Sequence, residues 1–251
     1  FATPSGGSKT VPTESPAIRS AALEVKQQLF AMAAEQLKLP AADLELRGNE
    51  VVSKSDATKK VALGQIQAFG RRGLIVGIGY RVPNPPGSAV NPFGVQFAEV
   101  EVNTKTGEIK VLRFLAAHDS GRIMNEKMFR NQVFGGVTMG IGFGLTEDRV
   151  MDDKQLGKLL TVNLHDYKMP TALDAPADKT VVIVDPRDNT FSNTGAKGVG
   201  EPATIPTAPA IANAVFHATG LRLTDAPMSP ARVLKAIASQ KTAPAGQKRG
   251  E

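Results

Sequence analysis

The chain has 251 residues, 41% of them hydrophobic and 22% charged, with a net charge of +6, which is enough for a substantial core and ordinary for a globular protein. No apolar run is long enough for a membrane-spanning helix, and spread charges with only 5% aromatics argue against a nucleic-acid binder, where basic residues cluster among aromatics. With no cysteine, the chain can form no disulfide, no thiolate metal site and no iron–sulfur cluster of its own.

The opening "FATPSGGSK" has no Met, basic leader or apolar leader segment, and is read as the interior of a larger unit. In "SPAIRSAALEVKQQLFAMAAEQLKL", Ser15 and Pro16 suit the N-cap and first helical position. Ile18, Ala22, Val25, Leu29, Ala33 and Leu37 then mark one helical face, and Pro40 ends the helix. "DLELRGNEVVS" reads as a hairpin around Gly48-Asn49, and "ALGQIQAFGR" as a helix candidate before a Pro/Gly linker, "RVPNPPGSAVNPFG". Next comes the clearest strand pair: "VQFAEVEVN" alternates, "TKTGE" turns and "IKVLRFLAAHD" returns.

A helix is expected from about 126 to 147, since Phe129, Val133, Gly136, Gly140 and Gly144 recur at i+3 or i+4 spacing. It carries glycines 135, 136, 140, 142 and 144, each costing about 1 kcal/mol relative to Ala. Tight helix–sheet packing, close approach of another backbone or a flat ligand could offset that cost. Asn131 and Gln132, at the helix start, are the better candidates for polar ligand contacts. "LTVNLHDYKMPTALDAP" is a loop, "TVVIVD" a short buried strand, and a helix over 207–218 ends at Gly220. In "SPARVLKAI", Ser229 and Pro230 start the last helix, and "SQKTAPAGQKRGE" reads as a disordered tail.

No G-x-x-x-x-G-K-[ST], G-x-S-x-G or H-E-x-x-H motif is present, and His118, His165 and His217 are scattered, as packed or surface histidines are. Two glycine loops remain, "TPSGGSKT" and "TGAKGVGEP", each before a helix and each with a lysine. Their backbone N–H groups could cradle anionic oxygens. With "DSGRIMN" they suggest three backbone contacts to one extended, anionic, flat ligand. Glu201 is the lone acid of "GAKGVGEPATIP". Pro202 should hold it extended, and it either compensates the dipole of the following helix or serves as a general base in an apolar, glycine-lined pocket.

"GAKGVGEPATIPTAPAIANAVFHATGLRLTDAPMSPARVLKAI" resembles the C-terminal signature of the molybdenum-binding subunit of the xanthine dehydrogenase/aldehyde oxidase family. "FGVQFAEVEVNTKTGEIKVLRFLAAHDSGRIMN…NQVFGGVTMGIGFGLTE" resembles the preceding segment, and "SGGSKT…AIRSAA" an earlier cofactor loop. The resemblance covers nearly the whole chain in family order. It implies a mixed α/β (α+β) fold, the C-terminal lobe of a molybdopterin-binding subunit, with residues 1–238 as the cofactor-binding region and 239–251 as the tail. It implies that Glu201 is the catalytic base, taking a proton as water-derived oxygen is transferred to the substrate. Lys197, Gly198, Val199 and Gly200 match the stretch at the pterin and metal end, and Gly7 and Ser8 match the earlier cofactor loop. Gly121, Arg122, Asn125, Asn131 and Gln132 match those holding the dinucleotide.

The implied cofactor is molybdenum–molybdopterin cytosine dinucleotide, its metal bound through the pterin dithiolene with no protein side-chain ligand. The implied partners are the rest of the molybdenum subunit, a [2Fe-2S] subunit and an FAD subunit, and the implied substrate is an aldehyde or an N-heterocycle. Two positions depart from the family: Glu126 stands where proline is common and Met139 where glutamine is common. The second is shared with bacterial aldehyde oxidoreductases and favours aldehydes over purines. Two rival readings are a non-catalytic cofactor-holding or assembly module of the same fold, and a plain anion-binding domain. Glu201 weighs against the first, and the missing phosphate motif against the second.

Overall fold

The computed structural model describes residues 4–154, 157–184 and 190–242. Its elements are α1 (Thr10–Leu37), β1 (Leu44–Arg47), β2 (Glu50–Ser53), β3 (Lys60–Ala62), α2 (Gln67–Arg72), β4 (Phe93–Val102), β5 (Ile109–Asp119), α3 (Glu126–Leu145), β6 (Asp178–Val184), α4 (Thr207–Thr219) and α5 (Pro230–Thr242). Two compact units divide the residues that the sequence reading takes together as 1–238.

One unit comprises Lys9–Ser88 with residues 190–195. The expected hairpin forms as β1 and β2, antiparallel with Leu46 opposite Val51, and the short β3 extends it to a three-stranded sheet. Met32 and Ala33 of α1 pack with Leu44, Val51, Val61 and Ile66 as its core. α1 begins at Thr10, five residues before the expected cap, and contains Pro16. A proline there leaves the carbonyl four residues back without its helical donor. Arg81 supplies the replacement, with Nε donating to the Pro12 carbonyl at 3.1 Å. Ser15, expected as the cap, instead donates to the Val11 carbonyl within the helix (2.6 Å). The apolar face starts later than its periodicity suggests. Leu29 and Leu37 pack against the core, but Ile18 is 68% exposed.

The other unit comprises Ser5–Ser8, residues 89–184 and residues 196–242. Its sheet has the order β4-β5-β6, with β4 and β5 antiparallel and β6 added parallel to β5. Along β4 the even-numbered residues from Gly94 to Val102 turn inward, while Phe93, Val95, Phe97, Glu99 and Glu101 are exposed. A bulge between Glu99 and Val100 shifts the register, so that Val111 and Phe114 both face the core. β6, expected as a buried strand, has one covered face: Val181 is buried, while Val182 and Val184 are 41% and 46% exposed.

α3 runs from Glu126 to Leu145 and buries Phe129, Val133, Gly136, Val137, Gly140, Ile141 and Gly144. Gly136, Gly140 and Gly144 face helix α4 and the turn before it, not the sheet. A Cβ on Gly136 would stand 2.7 Å from the Ala203 Cβ, one on Gly140 would collide with the Thr207 side chain, and one on Gly144 would meet the Ala208 Cβ at 3.3 Å. Close backbone approach is thus the use these glycines serve. α4 buries Thr207, Ile211 and Val215 along one stripe and ends as expected at Gly220 in the left-handed conformation. α5 opens at Pro230, with the Val233 N–H on the Ser229 carbonyl at 3.0 Å. It extends to Thr242, so that residues 239–242 of the expected tail are helical; residues 243–251 lie outside the described residues. No helix among the described residues is long and apolar enough to cross a membrane.

Candidate functional site

The three loops singled out by composition meet in the second unit. Gly7 and Ser8 both have positive φ, +66° and +54°, a conformation that costs serine more than glycine. Its purpose is visible in the hydrogen bonds: Ser8 Oγ accepts from the Val199 N–H at 2.7 Å and the Gly200 N–H at 2.9 Å. Gly198 fits because a Cβ there would stand 3.0 Å from Ser8 Cβ. Ser8 therefore fastens the first loop onto the second, and two of the amides expected to face a ligand are taken within the chain.

The third loop follows β5. Asp119 accepts the Gly121 N–H on Oδ1 (2.8 Å) and the Lys197 ammonium on Oδ2 (2.8 Å). The Lys197 N–H donates to the Ser120 carbonyl at 2.8 Å, and Gly121 bridges Ala196 in an antiparallel pair. The Lys197 and Asp119 side chains are 13% and 18% exposed. At that burial the partners hold each other, since stripping either would leave a charge poorly solvated. Lys197, expected as a ligand contact, thus has its ammonium engaged in joining two loops.

Glu201 stands where the loops converge. The Gly7 N–H donates to its Oε1 at 3.0 Å, so the carboxylate is held by the first loop and not by the amides of α4. The residue is exposed in this chain, not enclosed in an apolar pocket. Its backbone also departs from expectation. Despite the following proline, Glu201 opens a 3₁₀ turn, Glu201–Ala203, whose first carbonyl accepts from Thr204 (2.9 Å) and Ile205 (3.3 Å). Tertiary contacts override the local bias: Ala203 is fully buried, its Cβ against Gly136 and its carbonyl on the Gln96 side chain at 2.7 Å.

The remaining candidates fall into two kinds. Asn125 caps α3, its Oδ1 accepting from the Met128 N–H at 3.0 Å, and so has a structural use. Arg122, Asn131 and Gln132 are exposed, and no hydrogen bond among the described residues joins them to the loops. Gln132 lies one helical turn before Gly136, on the side from which the Glu201 turn approaches. Glu126, the departure from proline, pairs with Arg130 at 2.7 Å across one turn, and Met139 is 58% exposed.

The sequence reading did not single out Gln96, and His118, read as a packed or surface histidine, is buried. Gln96 Nε2 lies 3.1 Å from His118 Nε2, and its Oε1 accepts from Thr207 Oγ1 at 2.7 Å, all within the core. Burial pushes the His118 imidazolium pKa down, so the ring is neutral. A polar residue at an inward position of an alternating strand was the available signal.

These residues fit a flat, anionic, hydrogen-bonding group. Nothing lies within 4 Å of where a Cβ would stand on Gly6 or Gly7, leaving that backbone open to close approach. Arg122, Asn131 and Gln132 offer exposed donors. Among the described residues no three His, Asp or Glu side chains gather into a metal-binding group.

Comparison with known proteins gives the chain its family. A family model described as a molybdopterin cofactor-binding domain matches residues 1–176. The putative xanthine dehydrogenase molybdenum-binding subunit XdhA of Escherichia coli (strain K12) is 36% identical over 228 residues, covering 87% of this chain and 29% of that protein. The aldehyde oxidoreductase molybdenum-binding subunit PaoC of the same organism is 41% identical over 142 residues, covering 57% of this chain and 19% of that protein. Reconstituted CO dehydrogenase from Oligotropha carboxidovorans shares the fold, with a TM-score of 0.80 and 24% identity over 94% of this chain and 30% of that one. The chain belongs to the xanthine dehydrogenase/aldehyde oxidase family of molybdenum-binding subunits. It spans about three tenths of the length of XdhA.

Proposed function

We propose that this chain is the C-terminal cofactor-binding region of a molybdenum hydroxylase subunit that oxidises an aldehyde to a carboxylic acid with water-derived oxygen, Glu201 acting as general base. The observation that carries the reading is the convergence of residues 5–8, 119–122 and 196–201, with the Glu201 carboxylate tethered at their junction by Gly7. A module that only held a cofactor would need no carboxylate there. Hydroxylation of an N-heterocycle is the alternative chemistry for the same site; Met139 is the residue on which the aldehyde preference rests.

In this reading Gly6, Gly7 and Gly198 to Gly200 would lie along the pterin end of a molybdopterin cytosine dinucleotide. Gly121, Arg122, Asn131 and Gln132 would hold its dinucleotide end, with Asn125 ordering the start of α3. The bound cofactor supplies the metal centre that takes two electrons from the substrate. The chain's own contribution is to hold the acid: Gly7 occupies Oε1 of Glu201, which leaves Oε2 to receive the proton. A [2Fe-2S] subunit and an FAD subunit would carry the electrons away, and the rest of the molybdenum subunit would close the site.

The test is Glu201→Gln in the assembled enzyme. Metal analysis should find unchanged molybdenum, with turnover reduced about 10²–10⁴-fold, the range of general-base catalysis. Unchanged turnover would remove Glu201 from the mechanism, and a complex without molybdenum would favour the non-catalytic reading.

A further inference from the structure

Along β4 the inward positions are Gly94, Gln96, Ala98, Val100 and Val102, and Gln96 is the one with a polar side chain. It is 8% exposed. A buried amide without partners is costly, and here every partner is supplied. One Nε2 hydrogen goes to the Ala203 carbonyl at 2.7 Å, the other to His118 Nε2 at 3.1 Å, and Oε1 accepts from Thr207 Oγ1 at 2.7 Å. Because the Ala203 carbonyl can only accept, Nε2 must face it and Oε1 the Thr207 hydroxyl, so the amide has one satisfactory orientation. Ala203 closes the turn that Glu201 opens, and Thr207 opens α4. The amide thus grips both ends of the segment leading away from Glu201, while Gly136 and Gly140 receive the same two residues from the opposite side.

We infer that Gln96 is a positioning residue for the Glu201 carboxylate, acting through the Ala203 carbonyl and the Thr207 hydroxyl. An apolar side chain of similar size would fill the same volume but leave the Ala203 carbonyl, His118 Nε2 and the Thr207 hydroxyl without their partner. What the amide adds is direction. It fixes the rotation of the 201–203 turn, and hence where the carboxylate points, at a place where a displacement of 1 Å can cost about 10²-fold in rate. This inference rests on the reading of Glu201 as the base.

The test uses the assembled enzyme, with benzaldehyde and hypoxanthine as probe substrates and rates expressed per molybdenum. Gln96→Leu and Thr207→Val should each lower kcat about 10- to 100-fold while KM stays within about two-fold, and Thr207→Ser should restore the parent kcat. Molybdenum content should be unchanged in all three. If Gln96→Leu fails to assemble, the Thr207→Val and Thr207→Ser pair makes the same comparison. A lowered melting temperature with unchanged kcat in Gln96→Leu and Thr207→Val would overturn the inference and leave Gln96 a packing residue. Glu201→Gln measured in parallel separates the two ideas. If it is inactive while Gln96→Leu turns over normally, only the positioning role fails. If it is fully active, the base assignment fails and this inference with it.

Discussion

Ser8 shows most directly how the site is held. It adopts a left-handed backbone, unusual for a residue with a side chain, and its hydroxyl accepts two amides from a loop 191 residues away. Ser8→Ala keeps the strained backbone and strands both N–H groups, which should weaken the joint by about 1–3 kcal/mol. Hydrogen exchange should report it as lost protection at Val199 and Gly200, with core amides such as Val133 unaffected. His118 makes a second residue-level expectation. Burial holds its imidazolium pKa below the ordinary 6.5 in the folded state, so the unfolded chain binds the proton first as pH falls. Stability from this group is complete above about 6.5 and is lost as pH drops toward the folded-state value. Thermal melts between neutral and mildly acidic pH should show that fall, and His118→Leu should flatten it. Sequence reasoning singled out Glu201, Gly7, Ser8 and Lys197 because small residues and single charges stand out in a loop, and the structure brings their loops together. It missed Gln96, whose strand alternates so well that one inward amide reads as a variation, and its partners lie 22 to 111 residues away.

Helix α3 explains why so many glycines stand in one element. The backbone cost of Gly136 and Gly140 is offset by admitting Ala203 and Thr207, the residues that anchor the Glu201 turn. Gly135 lies one position away with nothing within 4 Å of its Cβ position. In the cofactor-free chain Gly135→Ala should therefore gain up to about 1 kcal/mol of stability from helix propensity, whereas Gly140→Ala should lose stability by overpacking against Thr207. Denaturant titration of the two variants distinguishes a helix shaped for its neighbour from one that is merely glycine-rich. The elements themselves were largely legible. β4 and β5 follow period two and a turn signal, and α4 ends at a glycine in its usual place. The start of α1 was not, because Pro16 imitates a first helical residue; only Arg81, far along the chain, supplies the donor that lets the helix run through it. The bulge at Val100 and the pairing of β6 with β5 depend on long-range packing that local sequence does not encode.

On the scale of the whole molecule, the outer face of the β4-β5-β6 sheet changes character along its length. Phe93, Val95, Phe97, Leu115, Val182 and Val184 are exposed at one end, while Glu99, Arg113 and Asp178 form ion pairs at the other. An apolar patch of that kind favours association when the chain stands alone. Light scattering of the isolated chain should show concentration-dependent self-association that Phe97→Ser reduces and Glu99→Gln does not. On the proposed reading, three loops bring Glu201 to the reacting end of a molybdopterin. A structure of the assembled enzyme with its cofactor tests it most directly. The Glu201 carboxylate should stand beside the metal centre, with Gly7 still on Oε1 and Gln96 still on the Ala203 carbonyl. A carboxylate turned to solvent, away from the pterin, would contradict it.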